Sequence, residues 1–370
     1  MKFTMPKESL SRTLQSVVSA VPPNSTLPIL SNFLLEARDG RLFLTCTDLD
    51  VSVCTQTASN VEDVGKVTVP ARRFAEIVRE LPPDEVAVGT DDLKVTLGCK
   101  IGQFSLMGMD AEEFPKLPEV EESAKLGLPA AEFSRAIRAT IYAVSTDETR
   151  PVLNGVLLEV RDGAMRLVAT DGHRLGRFTV RDPGLRGAKK ADAIVLPKTL
   201  ALVQKLAGEA GGAVELMISR NYAIFTVGET TIYSRLLEGP FTNYEQVIPR
   251  DNPNRVTVER GPLIAALRRV SILADTVTHQ VRLSFRKGKL DLNVQTTDVG
   301  EGTESLDADY PGVPLDIGFN AAYLSEALRN MDGERVVIAL DKPTSAAVLT
   351  PADGGQEEML CLVMPLRLQE

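Results

Sequence analysis

The chain has no tryptophan, two histidines and four cysteines in 370 residues. Each shortage excludes a class of chemistry. Cys46, Cys54, Cys99 and Cys361 contain no C-x-x-C pair, so neither a zinc framework nor a disulfide framework is encoded. Scattered cysteines, mostly with apolar neighbours, read as reduced core residues of a cytoplasmic protein. No G-x-x-x-x-G-K-[ST] phosphate loop and no G-x-S-x-G elbow occurs. No apolar run approaches the roughly 18 residues of a membrane span, so no membrane role is expected. The start, Met1 to Pro6, has no apolar segment after its charge, so no secretory leader is expected. Excess positive charge is also lacking. Lys plus Arg is 41 against 50 for Asp plus Glu, a net charge of -9 and a pI near 5.1. That argues against a polybasic tail, although a local basic face can sit within an acidic total.

What the chain does have is ordinary globular composition, 44% hydrophobic and 25% charged. At roughly 100–200 residues per domain, its length predicts two or three domains. A repeat sharpens that number. Two alternating apolar residues, a helix-start residue and an amphipathic helix recur six times. The start residues are Pro6, Pro70, Pro129, Pro197, Glu259 and Asn320, at intervals of 64, 59, 68, 62 and 61. Proline suits a first helical turn and asparagine a cap. The period is too long for a solenoid. It predicts three domains of two similar halves.

A second pattern sets the phase. Asn32 to Leu44, Asn154 to Val168 and Gln280 to Val294 each read as strand, turn and strand. Their turns are Asp39-Gly40, Asp162-Gly163 and Lys287-Gly288. The hairpins lead to Thr47-Asp48, Thr170-Asp171 and Thr297-Asp298. The expected fold class is α+β, with antiparallel sheets and one helix in each half. Polar, proline-bearing linkers at Pro115–Lys125 (with Glu119, Glu121 and Glu122) and Pro249–Arg255 bound domains at 1–120, 126–250 and 255–370.

Helices are expected at 6–20, 71–80, 130–143, 197–207, 261–275 and 320–331. They hold 12 basic and 6 acidic residues, a net +6, which leaves −15 on the remainder. The basic set includes Lys7, Arg12, Arg72, Arg73, Arg79, Arg135, Arg138, Lys198, Lys205, Arg268, Arg269 and Arg329. Solvated helix faces often carry such residues. Six helices with none net negative also fit one surface that meets a polyanion, holding phosphates without reading bases.

Acid pairs such as Asp91-Asp92 and Glu357-Glu358 read as solvated turns. The one enzyme-like cluster runs from Thr170 to Leu175, where Asp171 and His173 could serve as acid and base with Ser145 as nucleophile. Its spacing matches no known triad or metal signature. A histidine lining a binding groove is the simpler reading. The segment Met359 to Leu368 is almost wholly apolar, unlike a fraying tail. It fits either a core strand throughout or a docked strand ending in an apolar surface patch.

The whole chain resembles the bacterial DNA sliding clamps, the beta subunits of DNA polymerase III. The motifs that carry the resemblance are Pro28-Ile29-Leu30-Ser31-Asn32, Leu153-Asn154-Gly155, Ala169 through Leu175, Glu238 through Tyr244, Phe319 through Leu324 and Met364 through Leu368. The resemblance implies a non-enzymatic processivity factor with no cofactor and no catalytic or metal site. It implies a head-to-tail homodimer closed into a ring around duplex DNA, with helices inside and sheets outside. Expected partners are the replicative polymerase alpha subunit, the clamp loader, other polymerases, and mismatch-repair or ligase proteins. The location implied is the bacterial cytoplasm, at the nucleoid during replication.

The resemblance also implies site residues. One part of a partner-peptide pocket would use Leu153, Thr170, Gly172, His173, Arg174, Leu175, Thr242, Gln246 and Val247. The rest would use Asn320, Tyr323, Thr344, Ala346, Leu362, Val363, Met364, Pro365, Leu366 and Arg367. Thr242 replaces a common Pro, Gln246 an Arg, Thr278 an aromatic and Leu366 a Met, which bears on ligand preference. At the dimer interface, Arg72, Arg73, Phe104 and Leu106 would meet Ile272, Leu273, Glu301 and Glu304 of the second copy. DNA would face Lys7, Arg12, Arg72, Arg79, Arg135, Arg138, Lys198, Lys205, Arg268 and Arg329. Asn24, Asp147 and Pro151 replace residues that some relatives use on DNA.

Overall fold

A computed structural model describes residues 1–120, 125–187, 189–297, 299–353 and 358–368. Glu121, Glu122, Asp298 and Glu357, named above, lie outside the described residues.

The chain makes six passages of strand, helix and strands. The first is β1 (Lys2–Pro6), α1 (Lys7–Val17), β2 (Asn32–Arg38), β3 (Arg41–Thr47), β4 (Val51–Ala58) and β5 (Asn60–Asp63). The second is β6 (Gly65–Pro70), α2 (Ala71–Glu80), β7 (Glu85–Asp91), β8 (Lys94–Cys99) and β9 (Gly102–Met107). The third is β10 (Lys125–Pro129), α3 (Ala130–Ile141), β11 (Val156–Arg161), β12 (Ala164–Thr170) and β13 (Arg174–Arg181). The fourth is β14 (Ala191–Val195), α4 (Pro197–Ala210), β15 (Ala213–Ile218), β16 (Tyr222–Val227) and β17 (Thr230–Arg235). The fifth is β18 (Asn254–Glu259), α5 (Arg260–Val270), β19 (Gln280–Arg286), β20 (Lys289–Thr296) and β21 (Gly300–Asp307). The sixth is β22 (Leu315–Asn320), α6 (Ala321–Arg329), β23 (Arg335–Leu340), β24 (Ala347–Pro351) and β25 (Met359–Val363).

The helices form where apolar side chains recur at helical spacing. Leu10, Leu14 and Val17 are buried on α1, and Ala71, Phe74 and Val78 on α2. Only the helix expected at 71–80 keeps its limits; α1 ends at Val17, α3 at Ile141 and α6 at Arg329, and α4 runs on to Ala210. The span 261–275 is helical only to Val270, followed by a tight turn at Ser271–Leu273. Pro6, Pro70 and Pro129 end their strands and the helix follows them, while Pro197 opens α4. At Pro6, φ is -60 but ψ is 134, so the ring's fixed φ also serves a strand end. Asn320 caps α6, accepting from the amides of Ala322 and Tyr323 at 2.9 and 3.3 Å.

Both Asp-Gly hairpins carry positive φ at each turn residue, 53 and 69 at Asp39-Gly40 and 53 and 75 at Asp162-Gly163. That twist matches the flanking strands.

The lead strand of each passage crosses to the sheet of its partner passage. The sheets therefore run β5-β1-β7-β8-β9, β10-β15-β16-β17-β4-β3-β2-β6, β14-β11-β12-β13-β25-β24-β23-β18 and β21-β20-β19-β22. All their pairings are antiparallel. Two sheets have eight strands because two sets of four join edge to edge, at β4 with β17 and at β13 with β25. By compactness the chain forms two units, 1–131 with 198–236 and 132–197 with 237–370. Each unit contains one eight-stranded and one shorter sheet. No helix among the described residues is long and apolar enough to cross a membrane.

Candidate functional site

The β13–β25 seam carries a site that is partly apolar and partly polar. Strand alternation sends Leu175 and its cross-strand partner Leu362 to one face. There they join Leu157, Val168, Ile194, Tyr244, Ala346, Val348 and Leu360 in one apolar cluster. Above it lies a cleft of about 720 Å³. Its lining includes Leu153, Thr170, Gly172, Arg174, Leu175, Thr242, Val247, Ala346, Leu362 and Met364, all expected from sequence. The exposed Val247 and Met364 leave apolar surface uncovered beside this floor.

Other expected pocket residues stand elsewhere. Val363 is a correction: it is fully buried, because alternation along β25 turns it and Cys361 to the face opposite Leu362. Asn320 is the cap of α6, and Tyr323 lies against the Arg174 guanidinium, 4.5 Å from ring to cation. His173, Gln246 and Thr344 are exposed but do not line the cleft. Pro365, Leu366 and Arg367 belong to a strap that leaves it. The Met364 amide donates to the His173 carbonyl at 2.8 Å, and the Leu366 amide to the Gly318 carbonyl at 2.8 Å. The Gln280 amide nitrogen donates to the Arg367 carbonyl at 3.0 Å. Gly318 admits this strap because a Cβ there would lie 2.8 Å from the Leu366 carbonyl oxygen. The apolar tail is thus a core strand to Val363 and a pinned, partly exposed strap beyond it.

Sequence reasoning missed Arg150, Tyr244, Pro249, Asp251, Asn252, Asp341 and Ser345, which also line the cleft. Three of them sit in the segment expected as a linker. Asn252 holds it down, donating to the carbonyls of Ala339 and Ala346 at 2.9 and 3.0 Å. Burial, then the Glu159 carboxylate, pushes the Tyr244 phenol up to about 12, so it stays a neutral donor to Glu159 at 3.1 Å. Only the residue types in this linker (Asn beside Pro) hinted at an ordered turn.

The Thr-Asp loops at Asp48 and Asp171 prove to be ties. Asp171 accepts from the amides of His173 and Arg174 at 2.8 and 2.9 Å and from the Arg174 side chain at 3.0 Å. Asp48 does the same for Asp50 and Val51 at 3.1 and 2.8 Å. Its second oxygen meets Lys198 at 2.7 Å. Both loops lie beside a seam, Asp48 next to β4 and Asp171 next to β13. Ser145 is buried and accepts from the Asp147 amide. Among the described residues, no group of three or more His, Cys, Asp or Glu could hold a metal ion.

The helix cations divide into two sets. Arg135 pairs with Glu132, Asp332 and Glu358 at 2.8, 2.8 and 3.0 Å, and Arg138 also pairs with Asp332. Lys198 pairs with Asp48 and Asp50, and Arg79 with Glu80. Lys205 donates to the Gln15 carbonyl and Arg72 to that of Val21. Among the described residues, Lys7, Arg12, Arg72, Arg73, Lys205, Arg268 and Arg329 have no acidic partner.

Two of the sheet edges, β9 and β21, carry residues expected at a dimer interface. On β9, Phe104 is exposed and Leu106 partly so. On β21, Glu301 is exposed, while Glu304 is held by Arg269 of its own chain, which lowers its carboxyl. Beside β21, Ile272 is 76% exposed and lines an apolar notch with Ile264 and Ala265.

Three family models match the chain in order. They are the DNA polymerase III beta subunit N-terminal domain over 1–118, central domain over 127–243 and C-terminal domain over 245–367. A beta sliding clamp of Synechococcus elongatus is 36% identical over 376 residues, with both chains fully covered. The DNA polymerase III subunit beta of Pseudomonas aeruginosa is similar in structure, with a TM-score of 0.95, 32% identity and full coverage of both chains. A sliding clamp from that organism bound to griselimycin gives a TM-score of 0.94 at 32% identity, again with both chains covered completely.

Proposed function

The chain belongs to the family of DNA polymerase III beta subunits, the bacterial sliding clamps, and on that premise we propose that it encircles duplex DNA and tethers the replicative polymerase. It is a processivity factor and not an enzyme. It slides on sequence-blind phosphate attraction, and closure around the duplex supplies the persistence that affinity does not. Three domains, 1–120, 126–250 and 255–370, form each chain.

The β9 and β21 edges carry the ring reading. Inside the chain, the third strand after the helix of an odd passage pairs with the last strand of an even one, β4 with β17 and β13 with β25, the short β5 having crossed to the sheet of β1. By that rule β21 requires a β9, and the β9 of the same chain ends the other short sheet. A second copy supplies it, head to tail, and two such contacts close the ring. Phe104 and Leu106 then meet Ile272 and Leu273, with Arg72 and Arg73 facing Glu301. Glu304, already paired with Arg269, contributes less. Chains 40.1 kDa in mass should assemble to twice that and no further.

DNA contacts fall first to Lys7, Arg12, Lys205, Arg268 and Arg329, which have no acidic partner among the described residues, and then to Arg72, which faces Glu301 of the second copy in the ring. Arg79, Arg135, Arg138 and Lys198 contribute less, because each already has an acidic partner. The cleft receives short peptides with Leu and Phe anchors from the polymerase alpha subunit, the clamp loader, other polymerases, and mismatch-repair or ligase proteins. A preformed apolar floor with few polar groups favours modest, exchangeable binding. Loading onto nicked circular DNA by a clamp loader tests the reading. The protein should stay on the circle and leave once the circle is cut. Equal release from circular and linear DNA would refute it.

A further inference from the structure

The cleft at the β13–β25 seam carries a charge pattern that its apolar floor does not explain. Four charged side chains line it, Arg150, Arg174, Asp251 and Asp341. Its two cations are already engaged. Arg150 pairs with Asp147 at 2.9 Å, and Arg174 pairs with Asp171 at 3.0 Å and with Glu326. Its two carboxylates are not: among the described residues, neither Asp251 nor Asp341 has a cationic partner. Arg250 and Lys342 neighbour them in sequence. Both are exposed, line no part of the cleft and make no ion pair with either acid among the described residues.

The segments that bear the two acids are tied together. Asn252 donates to the carbonyls of Ala339 and Ala346 at 2.9 and 3.0 Å, and Asn254 donates to the Asp341 carbonyl at 3.4 Å. The Ser345 hydroxyl donates to Asp341 Oδ2 at 3.5 Å, a long contact from a neutral group that leaves the charge uncompensated. A ligand seated on the floor of Leu153, Leu175 and Leu362 would displace water from this wall. A neutral or acidic ligand would leave the carboxylates poorly solvated, whereas a cationic side chain would replace the lost water.

We propose that the cleft selects peptides carrying a Lys or Arg beside their apolar anchors, and that Asp251 and Asp341 read that charge. This rests on the peptide-binding reading above and deepens it. The apolar floor holds any peptide with suitable anchors, and the two acids choose among them. Arg150 and Arg174, already paired within the chain, exert no matching pull on an acidic flank.

The test uses the full-length protein and short fluorescein-labelled synthetic peptides. They share one Leu and one Phe anchor and differ only in the flanking residues, which are Lys, norleucine or Glu. Anisotropy gives the ratio of affinities within each protein, so a general loss of affinity in a variant cancels. Partly exposed ion pairs are worth about two- to fivefold in affinity. The wild type should therefore favour the Lys peptide over the norleucine peptide by about that factor, and should bind the Glu peptide less tightly than either. The preference should vanish in D251N/D341N and narrow as potassium chloride is raised. Equal binding of the Lys and norleucine peptides by the wild type would overturn the charge selection while leaving the peptide-binding reading intact. So would a preference that persists in D251N/D341N, or one for the Glu peptide. Binding of none of the three by the wild type would overturn the peptide reading itself. If the double variant binds none of them, D251N and D341N are measured singly. At least one should then lose part of the preference, and full retention in both would refute the proposal.

Discussion

Ile272→Ala should open the ring. The side chain is 76% exposed in the protomer, beside an open sheet edge. Burying an isoleucine fully is worth about 1.5–3 kcal/mol. Cutting it back to its β-carbon should forfeit about 1–2 kcal/mol at each contact. Dissociation of a closed dimer breaks two identical contacts, so the loss doubles to about 2–4 kcal/mol. That raises the dissociation constant by roughly 30- to 700-fold. Sedimentation over a dilution series measures it directly. Val313→Ala serves as the control, since Val313 is 70% exposed but precedes β22, at the other end of the four-stranded sheet. The control should leave the dissociation constant unchanged. A change of less than threefold in Ile272→Ala would refute the pairing of β21 with a second chain's β9.

Gly318→Ala should lift the strap, because the new Cβ would lie 2.8 Å from the Leu366 carbonyl oxygen and 2.9 Å from the Gln280 amide nitrogen. Faster hydrogen exchange at Leu366 and a several-fold weaker cleft peptide are expected, and unchanged exchange would count against it. Asp332→Asn probes the α3 ion cluster. Burial tends to raise the Asp332 carboxyl, but Arg135 and Arg138 outweigh it and hold it below 3.8. A depressed carboxyl stabilises above its unfolded value and loses that contribution as pH falls through the native one. The substitution should cost about 1 kcal/mol in urea unfolding at pH 7, given partly exposed partners. The gap to the wild type should shrink below pH 3.8, and a gap constant with pH would refute the pairing. Alkylation by iodoacetamide at pH 8 should reach Cys99 well before Cys361. Burial pushes the Cys361 thiol up to about 11, although the Tyr142 hydroxyl donates to it at 3.1 Å. Equal labelling by mass spectrometry would contradict its burial.

Much of the fold was legible because it repeats. Six helix starts at near-equal spacing mark six passages, and Asp-Gly turns give the phase of the hairpins. The exchange of lead strands between passages was not legible. Alternation in Val67-Thr68-Val69 says that a strand exists but not which neighbour it chooses. β6 pairs with β2, thirty residues upstream, and only tertiary packing selects that partner. The cleft was readable where a motif touches it, as at Thr170, Gly172 and Leu175. Pro249, Asp251 and Asn252 escaped because they sit in a stretch whose composition signals a joint. Val363 was misplaced for a simpler reason: a run of apolar residues does not reveal which side of the sheet each one takes.

The charge partition needs the same correction, and the correction changes its meaning. A census gives the helices +6, yet a formal charge attracts DNA only to the extent that nothing nearer offsets it. Arg135 meets three carboxylates and Lys198 two, so those charges serve the chain's own seams. Lys198 reaches Asp48 across the β4–β17 seam, and Arg174 reaches Glu326 beside the β13–β25 seam. A clamp must hold its own edges shut and still let DNA slide. Those demands compete for the same residue types, and the chain separates them. Lys198 and Arg174 meet acids at or beside the closed seams, while Lys7, Arg12, Lys205, Arg268 and Arg329 have no acidic partner among the described residues.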